Sequence, residues 1–182
     1  FERDTLRLLG AQIVGAEGAD KRIDVLACAM QLGADGVRLK DLDLAYAPPY
    51  SSAKDPVNMA GFMIENVAAG LMKQAGYDEI PALRSAGATL LDVRTDAEWD
   101  RGHIDGFVHI PLDELRDRLG ELPASAPVYV TCQSGLRSYV ACRMLAQHGF
   151  DAYNFRGGYG FYRVVAADGE PVRCARPCGA ER

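Results

Sequence analysis

The sequence predicts an α/β protein, with a mostly parallel sheet covered by helices on both faces and a smaller α+β unit in front of it. Three observations carry this reading. Short runs rich in Val, Leu and Tyr ("ATLLDVR", "APVYVTC", "DAYNFRGG") recur through the second half. Helical segments, "LDELRDRL" and "RSYVACRMLAQHGF", separate them, and strands alternating with helices indicate parallel pairing through crossovers. Before that, the pattern is two helices and one strand-like stretch around a proline-rich loop.

Taken in chain order, residues 5–15 set apolar Leu6, Leu8, Ala11 and Ile13 around Gly10, as in a half-buried strand. Asp20 is placed to cap a helix through Ile23, Leu26, Ala27 and Met30 that stops at Gly33. A loop pinned by Pro48, Pro49 and Pro56 follows. The next helix has Asp55 as N-cap and Pro56 at its first position, with Lys54 and Asn58 helping to hold the loop. Its apolar positions Val57, Ala60, Ile64, Val67 and Leu71 step by three and four, and Gly76 is expected to end it. This organisation gives a first unit over residues 1–76, a sheet unit over 80–165, and a Pro-, Gly- and charge-rich tail, 166–182, expected to be loose.

Of the 182 residues, 48% are hydrophobic and 25% charged, an ordinary globular balance. The net charge of −5 and the scattered basic residues argue against a nucleic-acid partner. No apolar run approaches membrane-spanning length, so a soluble protein without a membrane partner is expected. Cys28, Cys132, Cys142, Cys174 and Cys178 form an odd, irregularly spaced set that suits a reducing, cytoplasmic compartment. Cys174 and Cys178 have no neighbouring His or Cys to complete a zinc site, and no metal is expected. The chain opens on Phe1 rather than Met and reads as a piece of a longer protein.

The stretch "TCQSGLRS" carries the chemistry. A buried strand delivers Cys132 to the carboxyl edge of the sheet, where open α/β folds place ligands. A helix starts within a few residues, so loop amides and a helix N-terminus are expected to converge on the sulfur and favour thiolate. Arg137 adds to that field, and the loop holds no carboxylate to oppose it. Gly135 permits the curl, and Ser138 can donate a hydroxyl hydrogen bond or cap the helix. Cys142 is expected in the core and His103 on a turn, while His148 faces a helix C-terminus.

"LLDVRTDAEWDRGHIDGFVHIPLDEL", "VYVTCQSGLRS" and "YNFRGGY" together resemble a single rhodanese (sulfurtransferase) domain. The resemblance implies that Cys132 carries sulfur, cycling between thiolate and persulfide, with a sulfane-sulfur donor and a thiol acceptor as small-molecule partners. It implies that Arg137 and the loop, Gln133, Ser134, Gly135, Leu136 and Ser138, bind the donor. Asp92, Arg94 and Glu98 fall where the family braces the loop and strand ends. Phe107, Val108, His109 and the stretch from Tyr159 to Tyr162 depart from the family pattern and bear on substrate preference. Four residues separate Cys132 from Arg137. The cysteine phosphatases, which this arrangement also resembles, enclose one more, so a phosphatase or arsenate reductase is the weaker reading.

"LLGAQIVGAEGADKRIDVLA" and "DLDLAYAPPYSSAKDPVNMAGFMIEN" resemble the C-terminal dimerisation domain of flavin-dependent pyridine nucleotide-disulfide reductases, within the coenzyme A-disulfide reductase group. That implies a homodimer, Tyr46 reaching the partner subunit's active site, and FAD, NAD(P)H and CoA in the full-length enzyme. This chain has no G-x-G-x-x-G fingerprint and no upstream redox cysteine, so none of these cofactors is expected to act within it. A non-catalytic dimerisation or docking module is the alternative, which the intact Cys132, Gly135 and Arg137 disfavour.

Overall fold

The computed structural model describes residues 1–167 and divides into two compact units, Phe1–Leu71 and Met72–Arg182. The expectations for the tail, Cys174 and Cys178 among them, lie outside the described residues.

The first unit is built on two helices, α1 (Ala19–Gln31) and α2 (Pro56–Ala68). Asp20 does not cap α1. Gly18 holds that position with φ 67°, and Asp20 sits in the first turn, where its charge opposes the positive end of the helix dipole. Asp55 does cap α2, in a reciprocal box with Asn58. Asn58 is also a buried tie: its Nδ2 donates to the carbonyls of Leu39 (3.0 Å) and Leu42 (2.9 Å). Arg22 of α1 clamps Asp55 from both sides at 3.0 and 3.1 Å, so the cap and the helix pair are fixed together. Leu26, Ala29, Leu39 and Val57 form the small core between them.

Two expectations fail here for physical reasons. Residues 5–15 form no strand; Arg7 makes one antiparallel bridge to Asp35 and the ladder goes no further. Alternation selects a face, but a strand exists only where a neighbour exchanges backbone hydrogen bonds. The second helix ends at Ala68, with Gly70 at φ 67°, well before Gly76. The residues after it form a strand of the other unit.

The second unit is one five-stranded, all-parallel sheet: β1 (Lys73–Ala75), β2 (Thr89–Asp92), β3 (Val108–His109), β4 (Val128–Thr131) and β5 (Ala152–Phe155), in the order β1-β5-β4-β2-β3. Helices α3 (Ile80–Ser85), α4 (Asp96–Asp100), α5 (Leu112–Leu115), α6 (Leu136–Gln147) and α7 (Gly158–Ala167) flank it. The segment "LDELRDRL" yields only the single turn of α5. Period-two alternation sorts the strand side chains into two cores. Leu91, Val128 and Val130 pack with Leu115, Ala141 and Leu145 on the α5–α6 face. Leu90, Tyr129 and Phe155 turn to the opposite face with Ile80, Tyr159 and Tyr162. With both faces covered, the strands read as continuous apolar runs.

The strand order positions the site. From β2 the chain crosses to β3 at one edge; from β4 it crosses to β5 on the other side. The loops leaving adjacent β2 and β4 therefore diverge and leave a crevice at their carboxyl ends, where open α/β sheets bind ligands.

Candidate functional site

Cys132 is the first residue after β4, at the mouth of that crevice, and is 1% exposed. The loop turns sharply at Gly135, whose φ of 105° precedes α6 and is strained for any residue with a Cβ. That turn brings the Gly135 amide to 3.1 Å from Cys132 Sγ. Ser138, fully buried on the first turn of α6, donates its hydroxyl to the same sulfur at 3.3 Å. Burial alone pushes the thiol up. The Ser138 hydroxyl and the amides of Ser138, Ser134 and Gly135 outweigh that together and hold it below the ordinary cysteine range. Cys142, one turn further along α6, shows burial unopposed: its thiol is pushed up to about 12.

The amides converge because the carbonyls are tied from outside. The Tyr159 and Gly160 amides, at the start of α7, donate to the carbonyls of Cys132 (2.7 Å) and Gln133 (3.0 Å). Asn154 Nδ2 donates to the Gly135 carbonyl at 3.1 Å. With their oxygens held outward, the peptide units present N–H groups inward. Asn154 Oδ1 is left buried without a partner, the cost of aiming the amide nitrogen at the loop. Gly158 allows the close approach of α7: a Cβ there would lie 2.5 Å from the Ser134 nitrogen.

On the β2 side, Asp92 and Arg94 form a pair only 0% and 1% exposed, with Arg94 Nε at 3.1 and 2.9 Å from the two carboxylate oxygens. Arg94 also donates to the carbonyls of Glu98 (3.3 Å) and Gly102 (2.9 Å), and its guanidinium lies 3.8 Å from the centre of the Tyr159 ring. One side chain thus links the end of β2, α4 and the helix that anchors the cysteine loop. A buried pair of this kind contributes geometry more than net stability. His109 Nε2 donates to the Arg94 carbonyl at 2.8 Å, and Trp99 stacks between His109 and His103.

The Arg137 guanidinium is bidentate on Glu98, Nη1 to Oε2 at 2.7 Å and Nη2 to Oε1 at 2.6 Å. The loop itself holds no carboxylate, but the fold supplies one from α4. Arg137 holds the Glu98 carboxyl down at about 2, against burial, with help from the amide and hydroxyl of Thr95. Thr95 is the N-cap of α4 and Glu98 its reciprocal partner, a T-x-x-E capping box readable in the sequence. Gln133 and Leu136 are exposed at the loop surface, as is Ser134. Tyr46 belongs to the first unit, 52% exposed on the segment before Pro48. Asn154 is a contributor that sequence reasoning passed over, and Tyr159 and Gly160, read there only as a departure bearing on substrate preference, hold the loop carbonyls. Their polar role depends on which strand lies beside β4. Among the described residues no cluster of His, Cys, Asp and Glu could hold a metal ion, and no helix is long and apolar enough to cross a membrane.

A parallel sheet with a cysteine under converging amides at its switch point defines the class: residues 76–162 match the family model of the rhodanese-like domain, and this part of the chain has the rhodanese fold. Among solved structures the chain is similar to reduced CoADR-RHD of Bacillus anthracis, with 46% identity and a TM-score of 0.80 over 84% of this chain. It is also similar to the NAD-dependent persulfide reductase from A. fulgidus, with 39% identity and a TM-score of 0.76 over 88% of the chain. Coenzyme A disulfide reductase of Staphylococcus epidermidis is 50% identical over 62 residues, 34% of this chain. The chain spans only 27%, 29% and 14% of the lengths of these three relatives.

Proposed function

We propose that Cys132 is a sulfur carrier and that the chain serves as the sulfur-transferring part of an NAD(P)H- and FAD-dependent reductase of CoA disulfides, persulfides or polysulfides. The observation that carries the first half is the sulfur's own shell: Gly135 N–H at 3.1 Å and Ser138 O–H at 3.3 Å. The second half is supported by the likeness to an NAD-dependent persulfide reductase and to a coenzyme A disulfide reductase. The first unit is read as a homodimerisation element, with Tyr46 directed to the partner's site. Met59 and Met63, exposed one turn apart on α2, supply apolar surface for such pairing. Neither helix of that unit follows a strand, so it lacks the strand–glycine turn–helix cradle of a dinucleotide. The first unit thus offers no such cradle for FAD or NAD(P)H, and sulfur transfer at Cys132 requires neither.

The step is a double exchange. The Cys132 thiolate donates an electron pair to the outer sulfur of a sulfane donor and forms an S–S bond. The bond from that sulfur to the rest of the donor breaks, and the rest leaves with the pair. The terminal persulfide sulfur then sits under the loop amides, which hold its negative charge. An acceptor thiolate attacks that sulfur, the Cys132 S–S bond breaks, and the Cys132 thiolate returns.

Transfer to cyanide tests this reading. With a polysulfide or organic hydropersulfide as donor, the wild type is expected to form thiocyanate and Cys132→Ser none above background. Equal rates for the two proteins would refute it.

A further inference from the structure

The Glu98–Arg137 pair has a consequence for which donors the site takes, and this inference rests on the sulfur-carrier reading. We propose that Glu98 is a specificity-determining residue: by neutralising Arg137 it biases Cys132 against donors that carry anionic charge beside the transferred sulfur, and towards organic hydropersulfides, whose transferred sulfur can carry a proton.

Both terminal nitrogens of Arg137 face the Glu98 carboxylate, at 2.7 and 2.6 Å. The carboxylate is fixed in place, since Oε2 also accepts from the Thr95 amide (3.0 Å) and hydroxyl (2.9 Å). Swinging Arg137 onto an incoming anion would break a bidentate, charge-assisted pair that is two-thirds or more buried on both sides. To that anion the pair is a small dipole rather than a unit charge, and its attraction falls off accordingly. Arg94, at the end of β2, is taken up in the same way by Asp92, with both side chains buried. The attraction left at the sulfur comes from the Gly135, Ser134 and Ser138 amides and the Ser138 hydroxyl, which already face the Cys132 thiolate. A dianion such as thiosulfate meets that thiolate with the Arg137 and Arg94 guanidinium groups already taken up by carboxylates. A hydropersulfide in its protonated form, whose outer sulfur is uncharged, meets no such penalty.

Alkylation of Cys132 reads this field without needing sulfur transfer. Iodoacetate is anionic and iodoacetamide neutral, both react with the thiolate, and both must reach the same buried sulfur. Ionisation and access therefore cancel in the ratio of their rates at the Cys132 peptide. Wild type is expected to give a ratio no higher than that of a small uncharged thiol. Glu98→Gln, with Arg137 freed, is expected to raise the ratio about tenfold, and adding Arg137→Gln should return it. A wild-type ratio several-fold above the reference thiol overturns the proposal without any variant, as does a Glu98→Gln ratio within twofold of wild type. A raised ratio that persists in the double variant assigns the effect elsewhere and also overturns it. Failure of every donor to load sulfur on Cys132 would instead overturn the sulfur-carrier reading, whatever the alkylation ratio.

Discussion

Replacing Ser138 by Ala isolates the strongest side-chain contribution to the Cys132 thiolate. The hydroxyl lies 3.3 Å from Sγ in a fully buried position and leads the groups that hold the thiol down. A hydrogen bond to a charged group is worth about 1.5–3 kcal/mol. At about 1.4 kcal/mol per pKa unit, this corresponds to a rise of roughly one to two units in the Cys132 pKa. The lower end is expected, because the three amides remain in place. Below the pKa, the thiolate fraction should fall about tenfold. The measurement is the pH dependence of iodoacetamide labelling at the Cys132 peptide, followed by mass spectrometry. It avoids interference from Cys28, which is exposed and reports separately. An unchanged midpoint, or a shift to lower pH, would refute the account of how the thiolate is stabilised.

Two further outcomes follow from the same geometry. Gly158→Ala would force a Cβ to 2.5 Å from the Ser134 nitrogen and 2.6 Å from the Gln133 carbonyl, at a φ of 66°. Urea unfolding should show a loss of about 2 kcal/mol or more, and the Cys132 labelling midpoint should rise as the loop is displaced. The Glu98 carboxyl is held at about 2 in the fold against an ordinary 4.5, so its pairing stabilises fully above the higher value and fades as pH falls towards the lower. Glu98→Gln should therefore be less stable than wild type by about 1–2 kcal/mol at pH 7, allowing for solvent screening of a partly exposed pair. That difference should close as the urea midpoints are followed down towards pH 2.

The parts legible in the sequence are those set by local rules. β2, β4 and β5 are runs that bury both faces, and the strand–glycine–helix order around Cys132 specifies where its amides point. The Asp55–Pro56 start of α2 is likewise local chemistry. What escaped was set by partners distant in sequence. "KQA" is unremarkable as a strand and becomes β1 only because β5 pairs with it. Residues 5–15 have the pattern of a strand but only one bridge to make it real. The Arg137–Glu98 pair spans 39 residues, and no feature of "TCQSGLRS" announces that its arginine is already neutralised. The T-x-x-E box at Thr95 does predict the helix that carries Glu98, though not what that carboxylate meets.

The central claim is that Cys132 itself holds the transferred sulfur. Incubation with an inorganic polysulfide or an organic hydropersulfide, followed by peptide mass spectrometry without reductant, tests it most directly. The account predicts a one-sulfur mass gain on the Cys132 peptide that disappears on adding a thiol and is absent from Cys132→Ser. A gain confined to other cysteines, or none from any donor, would contradict it.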